Sequence, residues 1–294
     1  MKKTILGLFA FVCAFSGSSC SEDDLSGTSV IKPEQTTETP LDAWLYKNYI
    51  EPYNIEFRYR YEDMESDMIY DLTPANYEKS VQMAKLVKHL CLQAYDEVTG
   101  SRDFITSYFP KMVFLVGSPA YNNNGEVVLG TAEGGTKITL YAVNNMDPTN
   151  VDLLNEWYFK TIHHEFAHIL NQKKPFSTDF NQITGLATGI RYVGNACWDV
   201  YPSEDLALKD GFISRYASTS AEEEFVEVSS IYVTATWEEM LETAGEVGRP
   251  MLEAKFEIVD KYMKNDWGID LDELRKVVLR RQKELPNLDL DATN

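Results

Sequence analysis

Three of the four histidines in the chain fall within one hexapeptide, His163-His164-Glu165-Phe166-Ala167-His168; the fourth is His89. His164 and His168 are four residues apart, so on a helix both imidazoles leave the same face, one turn from each other. That spacing lets two ring nitrogens reach one zinc ion at about 2.0–2.1 Å. Glu165 points to the side, where a carboxylate can take a proton from a water polarised by the metal without becoming a ligand. His163 is rotated about 100° from His164 and reads as structural. A catalytic zinc needs a third protein ligand and an open position for water. No histidine follows His168, so a carboxylate has to complete the site. The downstream acids include Asp179, Asp199, Glu204, Asp205, Asp210, the run Glu222-Glu223-Glu224, and Glu227.

The hexapeptide sits inside a segment, Asn150–Lys174, that reads as the longest clear helix of the chain. Thr149, Asn150 and Asp152 suit its start, Lys173 and Lys174 its last turn, and Pro175 stops it. Leu154, Tyr158, Ile162, Phe166 and Ile169 form an apolar stripe, with His164 on the far side. One face is therefore expected in the core and the other along a cleft. Leu41–Ile50 and Tyr77–Val98 also read as helices, as do Ser220–Thr236, Met251–Asn265 and Leu271–Glu284. The cluster Trp44, Tyr46 and Tyr49 fits the core side of the first of these better than a sugar platform.

Met112–Gly117, Glu126–Gly130 and Lys137–Val143 read as strands, the first two joined by a turn around Asn122-Asn123-Asn124-Gly125. Ile138, Leu140 and Ala142 alternate with Lys137, Thr139 and Tyr141, which predicts a half-buried strand. Strands first and helices later imply an α+β fold: a small mixed sheet packed on the histidine helix, followed by a mostly helical C-terminal half.

The 294 residues carry 27 Lys+Arg against 46 Asp+Glu, a formal net charge of −19, with 44% apolar residues. This is globular composition. The acidic excess argues against nucleic acid as a partner, because phosphate binding needs clustered cations. Lys2 and Lys3, the apolar run Ile5–Phe15 and the small residues before Cys20 make residues 1–19 a signal peptide, too short to span a bilayer. Its removal deletes two lysines and no acids, so the mature charge is −19 − 2 = −21. Residues 20–40 read as a lipid-bearing Cys20 and a flexible tether, and 41–294 as the folded domain. With Cys20 acylated, Cys91 and Cys197 remain as a pair that an oxidising compartment could join.

Several motifs together resemble a known family. Ser16-Gly17-Ser18-Ser19-Cys20 resembles a bacterial lipobox, and Ser21-Glu22-Asp23-Asp24 the acidic export tag of Bacteroides-type surface lipoproteins. Tyr216 followed by Glu223-Glu224-Phe225-Val226-Glu227 resembles the Tyr…Glu-x-x-x-Glu segment of gluzincins related to anthrax lethal factor. It is also similar to the zinc-binding metallopeptidase lipoproteins of Bacteroides-type bacteria. The resemblance implies a zincin-like fold and a monomer with one zinc on His164, His168 and Glu223. Glu165 would then be the general base, Tyr216 a catalytic assistant and Glu227 an outer partner of a ligand. It further implies a peptide or protein substrate and an outer-membrane, cell-surface location through the lipid on Cys20. Glu224 and Val226 stand where that pattern usually has Asp and Ala, leaving Glu222 and Glu224 as rival ligands; Ser220-x-x-Glu223 is also a capping box. The strand Lys137–Val143 is expected along the cleft, where it could pair with an extended substrate. A different class of reading is a non-catalytic, zinc-containing surface lipoprotein that binds glycan or protein.

Overall fold

The computed structural model describes residues 38–66, 69–121, 127–133, 135–187 and 189–293, and those from Thr39 onward form a compact unit. The signal peptide, Cys20, the tether up to residue 37 and the turn at 122–125 lie outside the described residues.

The described residues form six short strands: β1 (Glu56–Arg58), β2 (Met112–Leu115), β3 (Ala120–Tyr121), β4 (Val127–Val128), β5 (Gly130–Glu133) and β6 (Lys137–Leu140). Four of them form a mixed sheet in the order β1-β2-β6-β5. β1 and β6 run parallel to β2, and β5 runs antiparallel to β6, with Gly130 opposite Leu140. β3 and β4 make a separate antiparallel ladder. Of the expected strand Glu126–Gly130, Glu126 lies outside the described residues and the rest is divided between β4 and the start of β5, one in each sheet.

β6 departs from the half-buried pattern, since Lys137, Ile138, Thr139 and Leu140 are all buried. The strand lies inside the sheet and both of its faces are covered. Ile138 and Leu140 join the main core, while Tyr141, Phe114 and Val116 form a second cluster beneath Tyr61, Tyr70 and Leu72. Lys137 is accommodated because its ammonium donates to the Glu65 carbonyl at 2.6 Å and lies 3.3 Å from the Glu65 carboxylate. The strand stops at Leu140 because Ala142 adopts a left-handed conformation (φ 58°), a strained choice for a residue with a Cβ. The Tyr158 hydroxyl donates to the Ala142 carbonyl at 2.8 Å and ties this turn to the histidine helix.

The principal helices are α1 (Pro40–Leu45), α2 (Tyr77–Val87), α3 (Gln93–Thr99), α4 (Asp103–Tyr108), α5 (Lys160–Lys173), α6 (Phe180–Ala187), α7 (Glu204–Lys209), α8 (Ala221–Thr234), α9 (Trp237–Trp267) and α10 (Leu271–Glu284). Helical turns Val151–Leu154 and Asn155–Phe159 run directly into α5, with Asn150 capping the start. The predicted stripe is all in the core: Leu154, Tyr158, Ile162, Phe166 and Ile169 are buried. Of the N-terminal aromatic cluster, Tyr49 is buried and Trp44 packs partly against the core, whereas Tyr46 is exposed. α9 starts well before the expected Met251 and is broken at Gly245, whose φ of 67° suits glycine.

Edge strand β5 rests directly on α5. A Cβ at Gly130 would lie 2.5 Å from Thr161 Cγ2 and 2.9 Å from the Thr139 carbonyl, so only glycine permits this approach. α5 thereby has the sheet edge on one flank and α8 on another.

Two buried polar groups underlie these packings. Glu224 on α8 and Lys255 on α9 are both fully buried and 2.6 Å apart, with the Tyr192 hydroxyl donating to the same carboxylate. Removing one partner strands a buried charge, so Lys255→Met should cost about 3–5 kcal/mol in urea unfolding. The double variant Glu224→Gln/Lys255→Met should recover most of that loss.

His163 is 2% exposed, and its Nδ1 lies 3.0 Å from the Tyr95 hydroxyl. Burial pushes its pKa down from 6.5 to about 4. The fold therefore holds it neutral, while the unfolded chain takes up a proton near pH 6.5. Stability from this residue is complete above that pH and is lost as pH falls towards 4, by about 3 kcal/mol in all. Urea unfolding at pH 7 and pH 4 should show a clearly smaller acid loss for His163→Asn than for the native chain.

Candidate metal centre

α5 presents His164 and His168 on the face opposite its core stripe, and α8 crosses that face with Glu223 in its first turn. His164 Nε2, His168 Nε2 and Glu223 Oε2 stand at the corners of a triangle whose three sides are each 3.2 Å. Two imidazole lone pairs and a carboxylate repel one another at this range unless protons or a cation lie between them. Donors around a tetrahedral zinc with bonds of about 2.0–2.1 Å are about 3.3–3.4 Å apart, so the spacing and the N,N,O donor set fit zinc. Among the described residues this is the group of three His, Cys, Asp or Glu side chains able to hold a metal. Glu223 is held down at about pKa 2: burial pushes it up, but the two imidazoles outweigh that. His164 is raised to about 9, because Glu223 and Glu227 overcome the effect of its burial.

The capping role and the candidate ligand role of Glu223 coexist. Ser220 caps α8 by accepting the Glu223 backbone N–H at 3.2 Å, while the Glu223 carboxylate turns to the histidines. Its rivals point elsewhere. Glu222 faces solvent, and Glu224 is committed to Lys255 in the core.

Behind the triangle, His164 Nδ1 lies 2.9 Å from Glu227 Oε1. Glu227 is 1% exposed, and its other oxygen accepts from Ser214 Oγ at 2.7 Å and faces Lys160 Nζ at 3.0 Å. Burial raises the pKa of this carboxylate, but Lys160, His164 and Ser214 together hold it well below the usual range. An ionised Glu227 holds the Nδ1–H of His164, so a metal ion in the triangle would displace the proton from Nε2 and leave the tautomer that ligation requires.

The triangle opens into a cavity of about 620 Å³ that is also lined by Glu165, Tyr216, Lys160 and Trp198. Glu165 is near enough to act electrostatically on both His164 and Tyr216. Tyr216 is 37% exposed and its hydroxyl hydrogen-bonds to Glu223; partial burial and that negative charge raise its pKa. Trp198 lies nearly parallel to the Tyr216 ring, 6.5 Å away, and the Arg215 guanidinium stands 4.6 Å from the centre of the Trp198 ring. The strand along the cavity is not Lys137–Val143. β6 is paired on both sides, and the wall is formed by Val127–Thr131, which includes the start of edge strand β5.

Lys160, Ser214 and Trp198 were not singled out by the sequence. Lys160 had one local signal, since it precedes His164 by four residues and so shares its helix face. Ser214 and Trp198 had none. Cys91 and Cys197 are both buried free thiols and do not pair.

Residues 34–272 match the protein family described as "Putative zinc-binding metallo-peptidase". The chain belongs to this family. A crystal structure of a family-named protein from Bacteroides caccae ATCC 43185, described in the same words, aligns with a TM-score of 0.75 at 42% sequence identity, covering 90% of this chain and 100% of that one. No curated protein matches. The family's description names zinc, as the resemblance read from the sequence implied, and His164, His168 and Glu223 are the group among the described residues that could hold a metal ion.

The Glu227 contact generates a prediction for the metal itself. Glu227→Ala should weaken zinc binding about 10–100-fold in competition with a chromophoric chelator, with the fold intact by circular dichroism.

Proposed function

We propose that the chain is a zinc-dependent peptidase of gluzincin type, with zinc held by His164, His168 and Glu223. The observation that carries this reading is the co-location of an N,N,O donor triangle, an adjacent carboxylate and a phenol in one open cavity. A zinc ion bound there supplies Lewis acidity, polarising a peptide carbonyl and making a water easier to deprotonate.

The remaining steps belong to the protein. Glu165 takes a proton from the attacking water as its oxygen adds to the carbonyl carbon. The same carboxyl then delivers the proton to the amide nitrogen as the C–N bond breaks, releasing an acid and an amine. The Tyr216 hydroxyl, now shared with Glu223, can donate to the oxygen on which negative charge develops. Glu227 keeps His164 in the ligating tautomer throughout. The open edge of β5 beside the cavity suits an extended peptide. In this reading residues 1–19 are a signal peptide and residues 20–40 a tether. Lipid on Cys20 anchors the protein as a monomer at the outer-membrane surface, where protein or peptide substrates are met.

Elemental analysis of a soluble form spanning residues 21–294 should find about one zinc per chain. Glu165→Gln should keep that zinc yet lose about 10²–10⁴-fold in peptide hydrolysis, because the proton carrier is gone. Hydrolysis near the native rate in this variant would refute the assignment. Native protein that binds zinc but cleaves no peptide in a diverse library would favour a binding role.

A further inference from the structure

Lys160 lies on α5 one turn before His164, and its ammonium reaches across to α8 to meet Glu227 Oε2 at 3.0 Å. The same oxygen accepts from Ser214 Oγ at 2.7 Å, while Oε1 faces His164 Nδ1 at 2.9 Å. Ser214 Oγ in turn accepts the Ala217 N–H at 2.9 Å, next to Tyr216. One carboxylate therefore joins the histidine helix at two points and the turn that carries the cavity phenol. It is 1% exposed, so water cannot replace a lost donor, and a carboxylate buried this deeply needs a positive partner. When His164 serves as a ligand it is a neutral Nδ1–H donor and brings no charge. Lys160 supplies that charge, and its side chain is one-third exposed along the cavity wall.

We propose that Lys160 is a positioning residue for the candidate metal centre: by fixing one oxygen of Glu227 it keeps the other aimed at His164 Nδ1–H, and so holds the imidazole in register with His168 and Glu223. The inference rests on those three residues being the metal site, but not on the chain being a peptidase.

The test uses the zinc-loaded protein and reads the imidazole N–H protons directly. With four histidines in the chain, the His164 Nδ1–H resonance is assignable by comparison with Glu227→Ala. In the native protein it should be a downfield proton that exchanges slowly with water. Lys160→Met keeps most of the stem and removes the charge; it should speed exchange at least tenfold while circular dichroism stays native. Lys160→Arg, which can still reach the carboxylate, should restore much of the protection. Should Lys160→Met fail to fold, Ser214→Ala removes the other donor from the same oxygen and should raise exchange in the same direction. If hydrolysis is measurable, kcat should fall about 10–100-fold with KM within twofold. Unchanged exchange in a folded Lys160→Met protein overturns the proposal. A raised KM with kcat and exchange unchanged also overturns it, and would make Lys160 a substrate contact. Because the proton signal needs zinc and no substrate, failure of the peptidase reading leaves this measurement decisive.

Discussion

The centre of the molecule depends on one buried contact, that between Glu227 on α8 and His164 on α5. A carboxylate that is 1% exposed can persist only where donors surround it, and those donors come from three places: His164, Lys160 and Ser214. The contact fixes how the two helices lie against each other at the level of the cavity. With that set, Glu223, one turn earlier on α8, falls opposite both imidazoles. The donor triangle is a consequence of helix packing as much as of the residues that form it.

α8 concentrates four acids in its first two turns; Glu222 faces solvent, and the other three go to different environments. Glu223 enters the triangle, Glu224 meets Lys255 in the core, and Glu227 meets Lys160 and His164. In a chain with a net charge of −19, the two carboxylates that are fully buried among the described residues are each matched by a lysine. The other flank of α5 is governed by sterics. Gly130 lets edge strand β5 lie against Thr161, which puts an unpaired strand edge beside the cavity.

Much of the scaffold was legible in the pattern of apolar residues. The stripe on α5 is buried along its whole length, and the C-terminal helices Leu271–Glu284 and Ala221–Thr234 lie where their spacing placed them. The two errors in the sheet share one cause. Lys137 and Thr139 look like the wet face of a strand, yet they are buried because a segment from elsewhere in the chain covers that face and Glu65 meets the lysine. The same mistake assigned the cleft edge to the wrong strand, since neighbours in a sheet are set by pairing between distant segments.

By itself, the sequence determined that two imidazoles and an adjacent carboxylate would share one turn of helix with their backs to an apolar core. It could do so because the α-helical repeat is local and converts a spacing of four directly into a common face. It also held the family signature that residues 34–272 match. Which acid meets the histidines was decided only by the tertiary structure. Glu222, Glu223 and Glu224 are neighbours in sequence, but about 100° of rotation separates each from the next, so the crossing of α5 and α8 selects one of them. The tertiary structure alone also placed Lys160 and Ser214 on Glu227, because a buried charge finds its partners through space; the spacing of Lys160 from His164 gives a shared helix face but not the acid it meets.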